Sequence, residues 1–257
     1  MKKLKMLFAG ILVLIMALGV VACGGGGNAE FNGNYNAQAS EEQVADLSAK
    51  IEGKSQVSEL LSYEMEMDQT LNYDGMKTVT TMKIVASGTS AADLKMSGTG
   101  TSKITMQGQT IKGTYKLYMT DGWMYIDMTM AGYTEKYKMQ VYNPSQAGAA
   151  MGGSASAKDL DEIIASGGQI YIDEQADGTT KIKAVYEDNL MVEGSALGAD
   201  MTMYFILDAE GNTTSVRMTC DVNLSGIDLK IDMTMKAKDV TVTVPGCLAD
   251  DSSYELM

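Results

Sequence analysis

Apolar and polar residues alternate one by one over most of this chain, and this period of two constrains the fold more than any other feature. From Ser62 onward, Tyr63, Met65 and Met67 alternate with acidic neighbours. Successive side chains of a β-strand point to opposite faces, so the pattern predicts strands with one buried and one wetted face. Roughly six such strands precede position 143, and five or six follow it up to about Val244.

Glycine turns separate these strands. A primed two-residue hairpin turn needs positive φ, which glycine adopts without steric cost. The turn dipeptides are Asp74-Gly75, Gln107-Gly108, Asp121-Gly122, Ala131-Gly132, Asp177-Gly178, Gly211-Asn212 and Ser225-Gly226. So many consecutive hairpins predict an antiparallel meander, and hence a mainly β fold of the α+β class.

Two helices are expected beside the strands. Ser40 and Gln43 fit a capping box, in which each side chain bonds the backbone N–H of the other. The apolar stripe of this first helix comprises Val44, Leu47 and Ile51, and the helix is expected to run or restart as far as about Leu61.

The second helix follows a loop rich in alanine, glycine and serine over 143–157. Ser156 and Asp159 are expected to cap its start, and Gly167 and Gly168 to end it. Its predicted buried face comprises Leu160, Ile163 and Ile164.

Methionine is unusually frequent, with 22 residues, and several form pairs two positions apart. On a strand the two members of a pair face the same side. The pairs are Met65/Met67, Met128/Met130, Met201/Met203 and Met233/Met235. They could be plain core, the lining of a deformable apolar cleft with Trp123 and nearby tyrosines at its rim, or a Cu(I) site, although no histidine or paired cysteine accompanies them.

Composition argues against most catalytic and metal chemistry. The chain has no histidine, which removes the usual general base at neutral pH and the commonest zinc ligand. No phosphate-binding glycine loop and no nucleophile elbow occurs. The formal net charge of −13 disfavours nucleic acid as a partner. We therefore predict no catalytic residues, no metal site, no cofactor and no enzymatic activity.

The N-terminus carries a basic and then an apolar segment that ends in Val20-Val21-Ala22-Cys23. Its apolar part is too short for a comfortable membrane span. The segment resembles the signal peptide and lipobox of bacterial lipoproteins. This resemblance implies cleavage after Ala22, attachment of diacylglycerol to Cys23, and an extracytoplasmic, lipid-anchored protein at the cell membrane. Residues 23–39 are rich in glycine and asparagine and are expected to form a flexible tether.

The rest of the chain is predicted to form one β-rich domain over 40–248, followed by a C-terminal tail over 249–257. Its order of helix, long strands, helical insertion and further strands resembles the LolA-like and LprG-like half-barrel lipoproteins, and Gram-positive lipoproteins of that general fold most of all. The motifs that carry the resemblance are the element from Tyr118 to Tyr125, with Asp121-Gly122-Trp123 at its centre, and the valine-rich strand from Val240 to Val244 before Pro245.

This resemblance implies a strongly bent sheet, closed on one side by helices, with a hollow that holds lipid in better-known members. The leading functional hypothesis is a membrane-anchored, non-enzymatic module that binds lipid or another hydrophobic ligand. The alternative is a structural or protein-interaction module of the cell envelope whose sheet is filled by its own side chains.

Two cysteines remain besides Cys23. Cys220 shares a predicted strand face with Val216, Met218 and Val222, so its side chain should point inward, and Cys247 follows the last predicted strand. Outside the cytosol they are each other's only available partners, so a disulfide is one expectation. Buried free thiols are the other.

Overall fold

A computed structural model of the chain describes residues 28–52, 62–88, 93–140, 160, 163–165, 167–186, 190–192, 195–197, 199–224, 227–249 and 252–256. The signal peptide, Cys23, the continuation of the first helix to Leu61, the 143–157 loop and the Ser156/Asp159 cap lie outside these residues. Within the described part of the chain, no helix is long and apolar enough to span a bilayer.

Strands dominate the fold. The first six are β1 (Ser62–Tyr73), β2 (Met76–Ser87), β3 (Lys95–Met106), β4 (Gln109–Thr120), β5 (Trp123–Met130) and β6 (Tyr133–Gln140). The next five are β7 (Gln169–Glu174), β8 (Thr180–Tyr186), β9 (Leu190–Val192), β10 (Ser195–Leu197) and β11 (Ala199–Leu207). The last three are β12 (Thr213–Leu224), β13 (Ile227–Ala237) and β14 (Glu255–Leu256).

Twelve of these strands form one curved sheet in the order β14-β6-β5-β4-β3-β2-β1-β13-β12-β11-β8-β7, and β9 pairs with β10 separately. All pairs in the large sheet are antiparallel except β14 with β6. The predicted mainly β meander is confirmed. The pairing of β1 with β13 joins the two halves of the chain into one sheet.

The hairpins β1–β2, β3–β4, β4–β5 and β5–β6 share one kind of turn. Asp74, Gln107, Asp121 and Ala131 each have φ between 48° and 53°, and the glycine after each has φ between 73° and 85°. Positive φ at both central residues defines the type I′ turn, whose twist matches that of the strands it joins. The predicted primed turns are therefore confirmed at these four positions.

Helix α1 (Glu41–Ile51) has the predicted capping box. The Gln43 N–H donates to Ser40 Oγ at 3.2 Å, and the Ser40 N–H donates to Gln43 Oε1 at 2.9 Å. Val44, Leu47 and Ile51 are buried against the sheet, as their spacing predicts.

The second helical segment, which includes Leu160 and 163–165, also packs on the sheet. The N–H groups of Gly167 and Gly168 close it on the carbonyls of Ile164 and Ile163. Leu160 and Ile163 are buried as predicted. Ile164, however, is 45% exposed, because the segment turns it away from the sheet.

The valine-rich segment from Val240 to Val244 is not a strand, contrary to the expectation. The Val240 N–H donates to the hydroxyl of Ser62, and the Val242 N–H donates to the hydroxyl of Ser87. These serines lie at the same end of β1 and β2. The segment therefore passes over the ends of the strands, and serine side chains rather than a neighbouring strand accept hydrogen bonds from these two N–H groups.

Residues 28–39 do not form the expected tether. A 3₁₀-helix (Asn28–Phe31) begins the described chain, and Phe31 is only 1% exposed, with its ring 6.2 Å from that of Tyr204. Glu30 pairs with Lys236 at 2.6 Å, and the Asn34 N–H donates to Asp173 at 2.8 Å. The ring contact of Phe31, the ion pair of Glu30 and the hydrogen bond of Asn34 hold this segment against the sheet.

The predicted C-terminal tail is likewise part of the domain. Tyr254 is buried, its ring meets that of Tyr125 edge-on at 5.1 Å, and its hydroxyl donates to Asp127 at 2.6 Å. Beyond it, β14 pairs with β6 and covers an edge of the large sheet. Covering an edge removes a row of free backbone groups that could otherwise pair with another chain.

Candidate functional site

The two faces of the large sheet differ sharply in chemistry. We call the face that packs against α1 the inner face and the opposite one the outer face. From β5 across to β11, every described inner-face side chain within the strand registers is uncharged, while lysine, aspartate and glutamate lie on the outer face. The inner face is thus continuous and uncharged over this width, and most of its described side chains are buried.

The four methionine pairs all lie on this inner face. Met65 and Met67 are opposite Met235 and Met233, and Met233 is opposite Met218, which in turn is opposite Met203. Met128 and Met130 lie on β5, which β4, β3 and β2 separate from β1. Met130 is half-buried, and the other seven predicted methionines are buried. The structure thus brings the predicted residues onto one face.

Trp123 does not belong to this face. The inner-face positions of β5 are the even ones, Met124, Ile126 and Met128, so Trp123 and Tyr125 point to the outer face. There Trp123 packs with the cluster of Tyr125, Leu248 and Tyr254, and the ammonium of Lys138 lies 5.6 Å from its ring centre. Its expected place beside the methionines is therefore corrected: it anchors the C-terminal segment.

At one end of the inner face, helices cover the sheet. The α1 residues Val44, Leu47 and Ile51 and the second helical segment pack over a cluster that includes Met65, Met67, Met233 and Met235. The side chains of Met233 and Met235 are fully enclosed, at 0% exposure. At this end the face is filled by the protein's own side chains.

A second cluster lies on the inner face of β2 to β5 and is distinct from the first. Its buried members are Met76, Ile104, Tyr115, Leu117, Met124, Ile126 and Met128. Half-buried Met130, Tyr137 and Met139 pack against it. Methionine fills irregular space with little demand on shape, so this cluster can repack around an inserted group more readily than one of branched side chains.

A row of uncharged polar residues lies across the middle of the inner face. Gln69, Thr80 and Ser102 are directly opposite one another on β1, β2 and β3, and Thr78 is the next inward residue of β2. All four are buried, and Thr78 Oγ1 forms no hydrogen bond. Sequence reasoning missed this polar row, although a polar residue at an inward position of each alternating strand was visible.

The phenol of Tyr115 lies beside the polar row. Burial raises its pKa, and the nearby hydroxyls of Ser102 and Thr80 partly oppose that rise. Its ring lies over Gly100, where an added Cβ would come within 3.2 Å of Tyr115 Cδ2. Because glycine has no side chain, the Tyr115 ring can lie directly over this position.

The end of the inner face away from the helices exposes large apolar side chains. Tyr73, Met106 and Tyr133 lie at the hairpin ends of β1, β3 and β6, and they are 48%, 45% and 76% exposed. We call these three residues the hairpin rim. These three side chains are large apolar groups that the described part of the inner face leaves exposed at this end.

The outer face is polar and held by ion pairs. Arg217 bonds both carboxylate oxygens of Asp232, at 2.9 and 3.0 Å, and Lys230 pairs with Asp221 at 2.8 Å. A groove of about 710 Å³ runs over β1 to β4 on this face, lined by Glu66, Asp68, Lys83, Lys116 and several threonines. Among the described residues, no group of three or more histidine, cysteine, aspartate or glutamate side chains is arranged to hold a metal ion.

Cys220 is a buried free thiol on the inner face of β12. Burial, with smaller contributions from Asp221 and Asp200, raises its pKa to about 11. Cys247 lies in a 3₁₀-helix (Gly246–Ala249) whose Leu248 packs against Tyr125 of β5, and its side chain is outside the described part. Five strands separate β5 from β12, whereas a disulfide needs Cα atoms within about 7 Å. Of the two expectations, the structure therefore has the free thiol at Cys220.

Comparisons by sequence give no match: no protein-family model matches the chain, and no curated protein does.

Several solved structures are similar in architecture. LprF from Mycobacterium bovis aligns with a TM-score of 0.42 at 12% identity, over 82% of this chain and 99% of its own. A beta-barrel-like protein from Brucella abortus aligns at 0.30 and 9% identity, over 70% and 99%. A domain described as outer membrane lipoprotein-sorting, from Vibrio parahaemolyticus, aligns at 0.24 and 8% identity, over 77% and 92%.

Proposed function

We propose that this chain is an extracytoplasmic lipoprotein, anchored through acyl chains on Cys23, that binds a lipid or another hydrophobic molecule without catalysing a reaction. The observation that carries the binding role is the uncharged inner face, with its methionine-rich clusters and the hairpin rim. A hydrophobic ligand that inserted beside these side chains would gain about 25 cal/mol per Å² of its own apolar surface removed from water.

The anchor rests on the lipobox, and it implies a short connection to the domain. Only Gly24 to Gly27 separate Cys23 from the packed segment that begins at Asn28. Four residues span at most about 14 Å when fully extended. The domain would therefore stand close to the headgroups, nearer than a seventeen-residue flexible tether over 23–39 would place it.

The anchor is tested by replacing its acyl acceptor. In cells fed labelled fatty acid, the full chain should incorporate label, Cys23→Ser should not, and the control Cys247→Ser should label normally. The Cys23→Ser chain should remain a precursor or appear in the medium. Normal labelling of Cys23→Ser would refute the lipoprotein assignment.

The binding role is tested by native mass spectrometry of the full chain released from non-ionic detergent. We expect additional mass from one or more co-purified lipids, and displacement of a fluorescent fatty acid by added lipid. A spectrum of protein alone, together with no binding of the fluorescent fatty acid, would contradict the proposal.

One observation favours a second candidate, an envelope structural or interaction module. Met233 and Met235 are fully enclosed, so the helix-covered end of the inner face is already filled. The two candidates therefore differ in the other end, between the polar row and the hairpin rim. Substituting Leu71 at that end by tryptophan should block lipid binding under the first candidate and leave every interaction unchanged under the second.

A further inference from the structure

One part of the outer face carries a charge opposite in sign to that of the whole chain. The chain has a formal net charge of −13. Within β2 to β6, however, the side chains that the strand registers place on the outer face include eight lysines and a single carboxylate, that of Asp127. We call these eight residues the basic patch: Lys77, Lys83, Lys95, Lys103, Lys112, Lys116, Lys136 and Lys138.

Several lysines of the basic patch have no counter-charge. Lys83 pairs with Glu66 of β1, whereas Lys103, Lys112 and Lys116 are exposed and form no ion pair with any residue that the structure describes. Lys103 and Lys112 are directly opposite each other on β3 and β4. Like charges directly opposite on a sheet destabilise it. An anionic surface bound here would remove that repulsion.

The basic patch is broad and polar throughout. Lys77 and Lys95 are ten residues apart in the register of β2 and β3, or roughly 33 Å at about 3.3 Å per residue, and five strands side by side span roughly 19 Å. Between the lysines, Thr81, Thr101 and Thr114 are exposed and directly opposite one another. Ammonium and hydroxyl groups both donate hydrogen bonds to phosphate oxygens. Donors spread over such an area suit many phosphate groups in a layer better than one small anion.

The N-terminal end of the described chain lies on the same face. Glu30 pairs with Lys236, and the Phe31 ring lies 6.2 Å from that of Tyr204; Lys236 and Tyr204 both belong to the outer face. Only four glycines connect this segment to Cys23, and four residues span at most about 14 Å. Acyl chains on Cys23 would therefore enter a bilayer on the side of the sheet that carries the basic patch.

We infer that the basic patch rests on the anionic lipid headgroups of the membrane in which the chain is anchored, so that the domain lies with its outer face towards the bilayer. This inference rests on the proposed acyl anchor at Cys23. Screening limits the attraction to about 10 Å at 0.1 M salt, so the charges closest to the headgroups decide the orientation. With the patch turned to the bilayer, these charges are lysines, although the chain as a whole is acidic.

The test measures how far a bilayer protects individual lysines. Full chain purified in non-ionic detergent is inserted into preformed vesicles of phosphatidylcholine, with or without phosphatidylglycerol, and acetylated briefly before peptide mass spectrometry. With phosphatidylglycerol, Lys103, Lys112 and Lys116 should react at least about threefold more slowly, and about 0.5 M salt should restore their rates. Lys50 of α1, which packs on the inner face, is the internal control and should react equally on both kinds of vesicle.

Variants connect the protection to the patch. Lys103→Glu with Lys112→Glu should bring the reaction rate of Lys116 on anionic vesicles back to within about twofold of its rate on neutral ones. The control Lys183→Glu with Lys230→Glu makes the same change of charge on the outer face of β8 and β13 and should keep the protection. The first variant retains like charges at the opposed positions, so its unfolding temperature should not change.

The failures are distinguishable. If the unmodified chain does not float with neutral vesicles, the anchor and this inference are both overturned. Flotation with equal lysine rates on the two kinds of vesicle, or protection that survives the first double substitution, would overturn the docking surface and leave the anchor standing. Protection by soluble polyphosphate but not by anionic vesicles would likewise overturn it, in favour of a soluble phosphate polymer as the partner.

Discussion

The inner and outer faces of the large sheet are built from the same strands, yet they are stabilised in different ways. On β13, Met233 is enclosed on the inner face, while its neighbours Asp232 and Thr234 lie on the outer face beside Arg217. The inner face gains its stability from apolar area removed from water, and the outer face from ion pairs and hydrogen bonds close to solvent.

This difference shows where the chain can tolerate change. An enclosed methionine contacts many neighbours and leaves a cavity when it is shortened, whereas an outer-face charge can be hydrated by water when its partner is removed. The inner face should therefore dominate stability, and the following measurements can contradict or refine that contrast.

The largest effect is expected at the enclosed methionines. Met233→Ala should lower the free energy of unfolding by about 2–5 kcal/mol, since the cavity cannot be filled by water or by its closely packed neighbours. Urea denaturation monitored by circular dichroism measures the change. The adjacent outer-face substitution Thr234→Val should leave it unchanged or slightly raised, because the buried Thr234 hydroxyl forms no hydrogen bond. Equal losses at the two positions would show that the faces do not differ as described.

A glycine on the inner face should be nearly as sensitive. A Cβ at Gly100 would lie 2.6 Å from the backbone oxygen of Thr81 and 3.2 Å from the Tyr115 ring. Gly100→Ala should therefore destabilise the fold by about 1–3 kcal/mol. At Gly246 an added Cβ meets no atom within 4 Å, so Gly246→Ala is the matched control. An unchanged melting temperature for Gly100→Ala would mean that the strands can separate there.

On the outer face, the Arg217–Asp232 pair should contribute modestly. Its two hydrogen bonds are well formed and the arginine side chain is 16% exposed, so Asp232→Asn should cost about 1 kcal/mol. The difference between the two proteins should shrink in about 1 M salt, which screens exposed charges. A decrease in the free energy of unfolding of more than about 3 kcal/mol, unchanged by salt, would show that this pair behaves as a buried ion pair.

The smallest effect concerns Cys220. Because burial raises its pKa to about 11, above the usual 8.5 of an unfolded thiol, the folded state holds this proton more tightly. Its contribution to stability is therefore complete below about pH 8.5 and is lost as pH rises towards 11. Native Cys220 should alkylate slowly at pH 8, since the thiolate is the reactive form.

Peptide mapping after alkylation measures the extent of modification of Cys220 separately from that of Cys247. In denaturant without reductant, Cys220 should react fully. Its protection under those conditions would establish the disulfide and contradict the free thiol of the structure.

Local patterns in the sequence were sufficient for much of the fold. The alternation of polar and apolar residues placed the four methionine pairs on single faces, and the turn dipeptides gave four type I′ hairpins. The Ser40 and Gln43 pair gave the start of α1. In each case the interacting groups are a few residues apart, so the sequence alone specifies the contact.

Other features depend on contacts between distant parts of the chain. Trp123 lies on the outer face because the chain near Leu248 and Tyr254 returns to cover β5, and Phe31 is buried because Tyr204 offers it a surface. The segment from Val240 to Val244 has the composition of a strand, but the hydroxyls of Ser62 and Ser87 accept hydrogen bonds from two of its N–H groups instead.

The candidate site divides in the same way. The sequence by itself determined that each strand has one apolar and one polar face and that the paired methionines share a face, because both follow from a spacing of two residues. It also determined that no histidine is available as a base or a metal ligand. Only the tertiary structure decided that β1 pairs with β13 and that five strands separate Cys220 on β12 from β5, where Leu248 packs. It alone also placed Gln69, Thr80 and Ser102 in one polar row. Strand register and order fix those neighbours, and both are set by packing across the whole sheet rather than by any local run of residues.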